Sequence, residues 1–251
     1  LEIRTGDSSL KSGGLAQIME ALIGIGSVGV LATGFIIGLK HALDADHLAA
    51  IGTMVTEKRS PWGLAVLGGT WGLGHTLSLL AVGLFVLLMN FQISENTERI
   101  LEGLVGLMLI GLGLNVLRKV LMGRKIQATT ETNHSHHHDE EKIWNPSLKW
   151  HQGVRVSPRA LAIGLLHGLA GSAGLMLLVI PTIESKGLGL LYISVFGVGS
   201  IGGMMIMSFL IGLPFHLTSK NLEPLNKGLQ IVAGFASAYI GGTIVFEMFA
   251  G

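Results

Sequence analysis

The sequence predicts an all-α membrane protein, a polytopic bundle of about six transmembrane helices. Three observations carry this. Charged residues make up 13% of the 251 residues and hydrophobic residues 49%, whereas a soluble domain carries roughly 25% charge. The charges cluster, which leaves apolar runs of the ~20 residues that a helix needs to cross a bilayer. Glycine occurs 37 times, and small residues let membrane helices approach closely.

Taken in order, the candidate spans lie at 29–54, 62–89, 99–121, 160–183, 188–213 and 227–249. A continuous helix over 15–55 would be roughly 60 Å long, about twice the hydrocarbon thickness. It must therefore break, tilt or begin outside the membrane, and residues 12–26 are expected to form an interfacial helix or half-span. Glu57-Lys58-Arg59-Ser60-Pro61 stops the first span and starts the second, since Pro suits the first helical position. Ser94-Glu95-Asn96-Thr97-Glu98 reads as a capping box that opens the third. The chain begins at Leu1 rather than Met, so an upstream segment is expected.

Residues 1–251 are read as a single transmembrane domain, with one hydrophilic loop at 122–159 between two halves. The loop has no apolar periodicity and carries His134, His136, His137 and His138 before Asp139, Glu140 and Glu141. Such a tract reads either as a metal-collecting segment or as a solvated loop. Alternating the spans gives one side twelve basic residues, from Lys58 and Arg59 through Lys220 and Lys227, and the other only Arg4, Lys11, Arg99 and Lys186. The basic side is cytoplasmic by the positive-inside rule, which puts the loop in the cytoplasm and the protein in the cell (inner) membrane. The halves also resemble each other. Gly38-Leu39-Lys40-His41-Ala42-Leu43 aligns with Gly164-Leu165-Leu166-His167-Gly168-Leu169, and Gly72-Leu73-Gly74-His75-Thr76 with Gly197-Val198-Gly199-Ser200-Ile201. Three spans per half would invert the second copy, a common transporter plan with its site at the repeat interface.

Net charge is +1, so nothing points to nucleic acid. With no cysteine, disulfides, iron–sulfur clusters and thiolate metal sites are excluded. The strongest chemical feature is His41-Ala42-Leu43-Asp44-Ala45-Asp46-His47, four polar residues in seven at the edge of an apolar span. Ionisable groups at membrane depth cost a few kcal/mol each on insertion scales, so a bound cation is the natural compensation. Imidazole suits nickel, cobalt, copper and zinc, and carboxylate neutralises charge. On a continuous helix His41, Asp44 and His47 share an arc of about 120° while Asp46 points elsewhere. Asp46 would then orient a histidine from behind, or ligate if the helix is distorted. The plainer reading is an interfacial helix start with solvated carboxylates. His75 lies in an otherwise apolar span beside Gly72 and Gly74, and His167 among small residues. Each reads either as a metal ligand or as a packing histidine. Met204, Met205 and Met207 read as core. No H-E-x-x-H occurs, so the chain is not expected to be an enzyme and no resident cofactor is expected.

His41-Ala42-Leu43-Asp44-Ala45-Asp46-His47 and Gly74-His75-Thr76 together resemble the nickel/cobalt transporter family. Its members carry H-A-x-D-A-D-H in one transmembrane helix and Gly-His-Ser/Thr in the next. The resemblance covers roughly residues 30–90. It implies that His41, Asp46 and His47 bind the ion, with Asp44 close by and His75 sharing the site. It also implies a secondary permease for Ni2+ or Co2+, with the lipid bilayer and the ion as partners and the ion as cargo. The chain lacks the L-G-x-D-T-A-T-E element of the longer, eight-span members. It is more similar to the shorter branch that includes urease accessory membrane proteins. Uptake is the favoured direction. The alternatives are efflux, and a membrane nickel chaperone serving urease or hydrogenase maturation. The His-rich loop would meet cytoplasmic nickel chaperones.

Overall fold

A computed structural model of the chain describes residue 26 and residues 28–56, 60–89, 94–122, 157–171 and 185–250. All but residue 26 of the expected interfacial helix at 12–26, nearly all of the loop at 122–159 and the second part of the 160–183 span lie outside the described residues. The described chain is helical: α1 Val28–His41, α2 Ala45–Met54, α3 Pro61–Met89, α4 Glu95–Leu121, α5 Pro158–Gly171, α6 Lys186–Asn221 and α7 Glu223–Ala250. Among the described residues α3, α4, α6 and α7 are each long and apolar enough to cross a membrane, and α1 and α2 are so only taken together, as a pair bent by 53°. The fold class is that of a polytopic helix bundle.

Local chemistry sets the helix starts. Ser60 Oγ accepts the Gly63 N–H at 3.1 Å, one residue ahead of Pro61, and Ser157 Oγ accepts the Ala160 N–H at 3.3 Å ahead of Pro158. Ser94 accepts from the Thr97 N–H, so the third span starts on a serine cap as its sequence signals. The α6 helix outruns its expected end at 213, continuing through Pro214 to Asn221. Proline removes one donor from the helix ladder. On the neighbouring helix the Asn226 side-chain amide donates to the Phe215 carbonyl at 3.0 Å.

The apolar distribution is that of a protein in lipid. Val232, Phe235, Tyr239 and Phe246 form an exposed stripe on α7, and Leu73, Leu77, Leu84 and Leu88 one on α3. Polar and small side chains lie inside. Thr76 donates to the Gly197 carbonyl at 3.2 Å, Ser208 to the Leu64 carbonyl at 2.8 Å and Ser237 to the Leu109 carbonyl at 2.8 Å. These tie helix to helix where no hydrophobic effect operates.

Glycine contacts set the helix pairing and expose its symmetry. A methyl group on Gly38 of α1 would strike the Phe196 carbonyl of α6, and one on Gly199 the Phe35 carbonyl of α1. The same pair recurs between α5 and α3, where Gly164 faces the Trp71 carbonyl and Gly74 the Leu161 carbonyl. Shifting by the offset between the aligned halves carries one set onto the other, position by position. The contact of Gly203 with Ala42 likewise maps onto that of Gly168 with Ser78. The pairing directions follow from the same contacts: α1 runs parallel to α6 and α5 parallel to α3, while α3 and α6 are antiparallel. The last helices, α4 and α7, cross with Gly106 against the Gly241 carbonyl and Gly113 against the Gly234 carbonyl. The halves are thus related by an approximate two-fold axis that inverts one against the other, as three spans per half require.

Candidate functional site

The site forms where the first span breaks. After His41 the helix gives way to a tight turn, closed by the Leu43 N–H on the Lys40 carbonyl and the Asp44 N–H on the His41 carbonyl. Asp44 adopts an extended conformation (φ −62°, ψ 147°) and precedes α2 in the N-cap position, with no side-chain cap bond. Its carboxylate turns back and lies 2.7 Å from His41 Nδ1. Asp44 and Asp46 together place negative charge at the start of α2, which the helix dipole favours. The α2 helix is about 15 Å long, half the hydrocarbon thickness. It packs against α4, α6 and α7, and its residues from Ala49 to Met54 are all buried.

This break corrects the expectation of a continuous helix over 29–54. His41, Asp44 and His47 do not share an arc of one helix, because a bend of 53° separates His41 from His47. Asp44 is half-exposed and touches His41 alone among the site histidines. Asp46 holds the central position instead. One carboxylate oxygen lies 2.9 Å from His47 Nδ1 and also accepts the His47 backbone N–H at 2.9 Å. The other lies 2.9 Å from His167 Nε2 on α5.

Four imidazoles converge on this point from the end of α1, from α2, from α3 and from α5. His47, His75 and His167 are fully buried and His41 is 6% exposed. The His47 ring lies 4.3 Å from the His41 ring and 4.3 Å from the His167 ring, centroid to centroid. His75 Nε2 is 3.4 Å from His41 Nε2, and the His75 ring is 5.3 Å from that of His47. His47 Nε2, His75 Nδ1 and His167 Nδ1 are buried and have no hydrogen-bond partner among the described residues. Unpaired buried nitrogens cost free energy, and each neutral imidazole offers one lone pair to a cation. Two triads have ligand atoms within 4.8 Å of one another: His41, His47 and His75, and Asp46, His47 and His167.

Of the residues singled out in the sequence, His41, Asp46, His47, His75 and His167 therefore come together, and Asp44 stands at the edge beside His41. Two further residues belong to the surroundings. Trp71 is fully buried, with its ring 5.3 Å from His47 and 5.5 Å from His167. It precedes His75 by one helical turn, so helical spacing alone places both on one face. Phe196 closes the His41 side at 5.5 Å. Met204 is buried in the apolar core, as expected for a packing residue.

Residues 70–242 match the family described as the cytochrome c biogenesis protein transmembrane region. The urease accessory protein UreH of Bacillus sp. (strain TB-90) is 36% identical over 214 residues, which cover 84% of this chain and 88% of that protein. Two Arabidopsis thaliana proteins, chloroplast protein FOR GROWTH AND FERTILITY 2 and 1, are 24% and 25% identical over 97% and 87% of this chain. This chain spans 63% and 59% of their respective lengths. No solved structure matches. With a family match from residue 70 to 242 and 36% identity to UreH across most of both chains, this multi-pass membrane protein belongs to the cytochrome c biogenesis protein transmembrane region family and is a homologue of UreH.

Proposed function

We propose that the protein is a secondary permease that carries Ni2+ or Co2+ inward across the cell membrane. One observation carries this reading: four buried histidines and a carboxylate from three spans meet inside an apolar bundle. An intramembrane cluster of ionisable groups marks an ion pathway by default, and imidazole with carboxylate is a donor set for first-row divalent metals. The preference for nickel and cobalt rests on the resemblance to the nickel/cobalt transporter family and on the urease accessory role in the name of the 36% identical relative. In this reading the ion sheds water for imidazole and carboxylate ligands near His47, and a rocking of the inverted halves opens the site to the cytoplasm. The ion is cargo, no resident cofactor takes part, and the His-rich loop at 122–159 offers the ion to cytoplasmic nickel chaperones. Imidazolium does not bind metal, so acid weakens loading.

A second reading, a membrane chaperone that binds nickel without moving it, draws support from the same relative's name. Radioactive nickel uptake into liposomes holding only this protein separates the two. The permease reading expects accumulation that cobalt suppresses and that His47→Ala lowers at least ~100-fold. Nickel bound to the protein but absent from the lumen would favour the chaperone. Release from loaded vesicles with no net uptake would favour efflux.

A further inference from the structure

The ligand cluster is larger than one ion needs, and it divides. His41 and His75 stand on one side of His47, Asp46 and His167 on the other, and His47 belongs to both triads. The two-fold axis relates one member of each triad. His41 and His167 are counterparts in the two halves, and their rings lie at the same 4.3 Å from the His47 ring. Asp46 and His47 belong to the first half alone, so the two triads differ in composition.

We propose that the cluster is two alternative cation stations rather than one site: a first of His41, His47 and His75, and a second of Asp46, His47 and His167. The proposal rests on the permease reading and gives that transport its elementary step. A neutral imidazole has one lone pair, so His47 serves one ion at a time and the two stations fill in turn. Two dications this close would also repel strongly at low dielectric. In an inverted repeat, exchanging the conformations of the halves exchanges counterpart positions. His41 and His167 are such a pair, so a state that opens the His41 side of the cluster to one side of the membrane has a counterpart that opens the His167 side to the other. His47 passes the ion between them. The second station has a carboxylate where the first has an imidazole, so it compensates the ion's charge directly but holds a borderline metal with fewer nitrogen donors.

The test uses the full chain in lipid nanodiscs with His134, His136, His137 and His138 changed to alanine, and titrates Co2+ and Ni2+ by calorimetry. One ion is expected to bind. His41→Ala and His167→Ala should each keep one ion, weakened by roughly 10- to 100-fold, because the other station survives. The double variant and His47→Ala should bind none. In vesicles both single variants should fail to transport. Loss of all binding in either single variant would show one concerted site and overturn the proposal. Two ions bound to the parent chain, or wild-type transport by His167→Ala, would each overturn it as well. A parent chain that binds one ion but moves none would sink the permease reading instead, while the binding titrations still decide whether there are two stations.

Discussion

In the first half the helix that ends at His41 stops, turns through Ala42, Leu43 and Asp44 and resumes as α2; in the second half α5 runs unbroken from Pro158 through His167 to Gly171. The two stretches are counterparts: His41-Ala42-Leu43-Asp44 against His167-Gly168-Leu169-Ala170. Their surroundings match as well, since Gly38 and Gly164 press against the equivalent carbonyls of α6 and α3. Glycine packing therefore does not cause the break. Two positions differ within the stretch: Ala42 stands against Gly168 and Asp44 against Ala170. Glycine is the poorer helix former yet sits in the unbroken helix, so the break goes with Asp44, which favours the N-cap position and there meets His41. The scaffold is repeated, while the break and the carboxylates are confined to one copy and each copy supplies histidine.

Substitutions other than those of the histidines separate the two halves by the size of their effect. The largest of these is expected at Asp46, whose two oxygens lie against histidines from both halves. Asp46→Asn keeps the shape but removes the charge and one acceptor, and should lower ion affinity by roughly 10- to 100-fold in a titration of the purified protein. Next come the repeated glycines. Gly38→Ala and Gly164→Ala each push a methyl group into a carbonyl oxygen and should each destabilise the bundle by about 1–3 kcal/mol. The effect should be similar in the two halves when unfolding is followed in mild detergent. Gly111→Ala, with open space around its Cβ position, should stay within about 0.5 kcal/mol. Asp44→Asn removes a half-exposed carboxylate that orients His41 alone. It should weaken binding less than ~10-fold, the lower end for loss of a supporting partner. Ser237→Ala, which deletes one hydrogen bond to the Leu109 carbonyl, should cost only about 0.6 kcal/mol.

Much of the fold was legible because membrane helices announce themselves by length and apolarity. The expected spans at 62–89, 99–121 and 227–249 match α3, α4 and α7 to within a few residues. The end of α6 was missed because Pro214 reads as a stop, whereas the helix continues through it to Asn221. Length required the stretch 15–55 to break, tilt or begin outside the membrane, and the structure has a 53° bend between His41 and Ala45. Asp44 and Asp46, a capping residue and a first-turn acid, mark that position, although the candidate span ran through them as one helix. On one helix Asp44 shares the arc of His41 and His47, and Asp46 ligates only if the helix is distorted; with the helix broken, Asp46 lies between His47 and His167. His167 could be suspected through its counterpart His41, since the repeat is visible as Gly-rich alignment. Nothing in local sequence tells a packing histidine from one that meets three others, because that depends on contacts across the bundle.

In the proposed permease the buried cluster, and not the His-rich loop, holds the ion. X-ray absorption at the nickel edge of the loaded protein decides between them, with comparison of a variant lacking His41, His47 and His75 and another lacking His134, His136, His137 and His138. Imidazole scattering is expected to persist without the loop histidines and to disappear without the intramembrane three. The reverse pattern, nickel still bound through imidazole after the intramembrane histidines are gone, would contradict it.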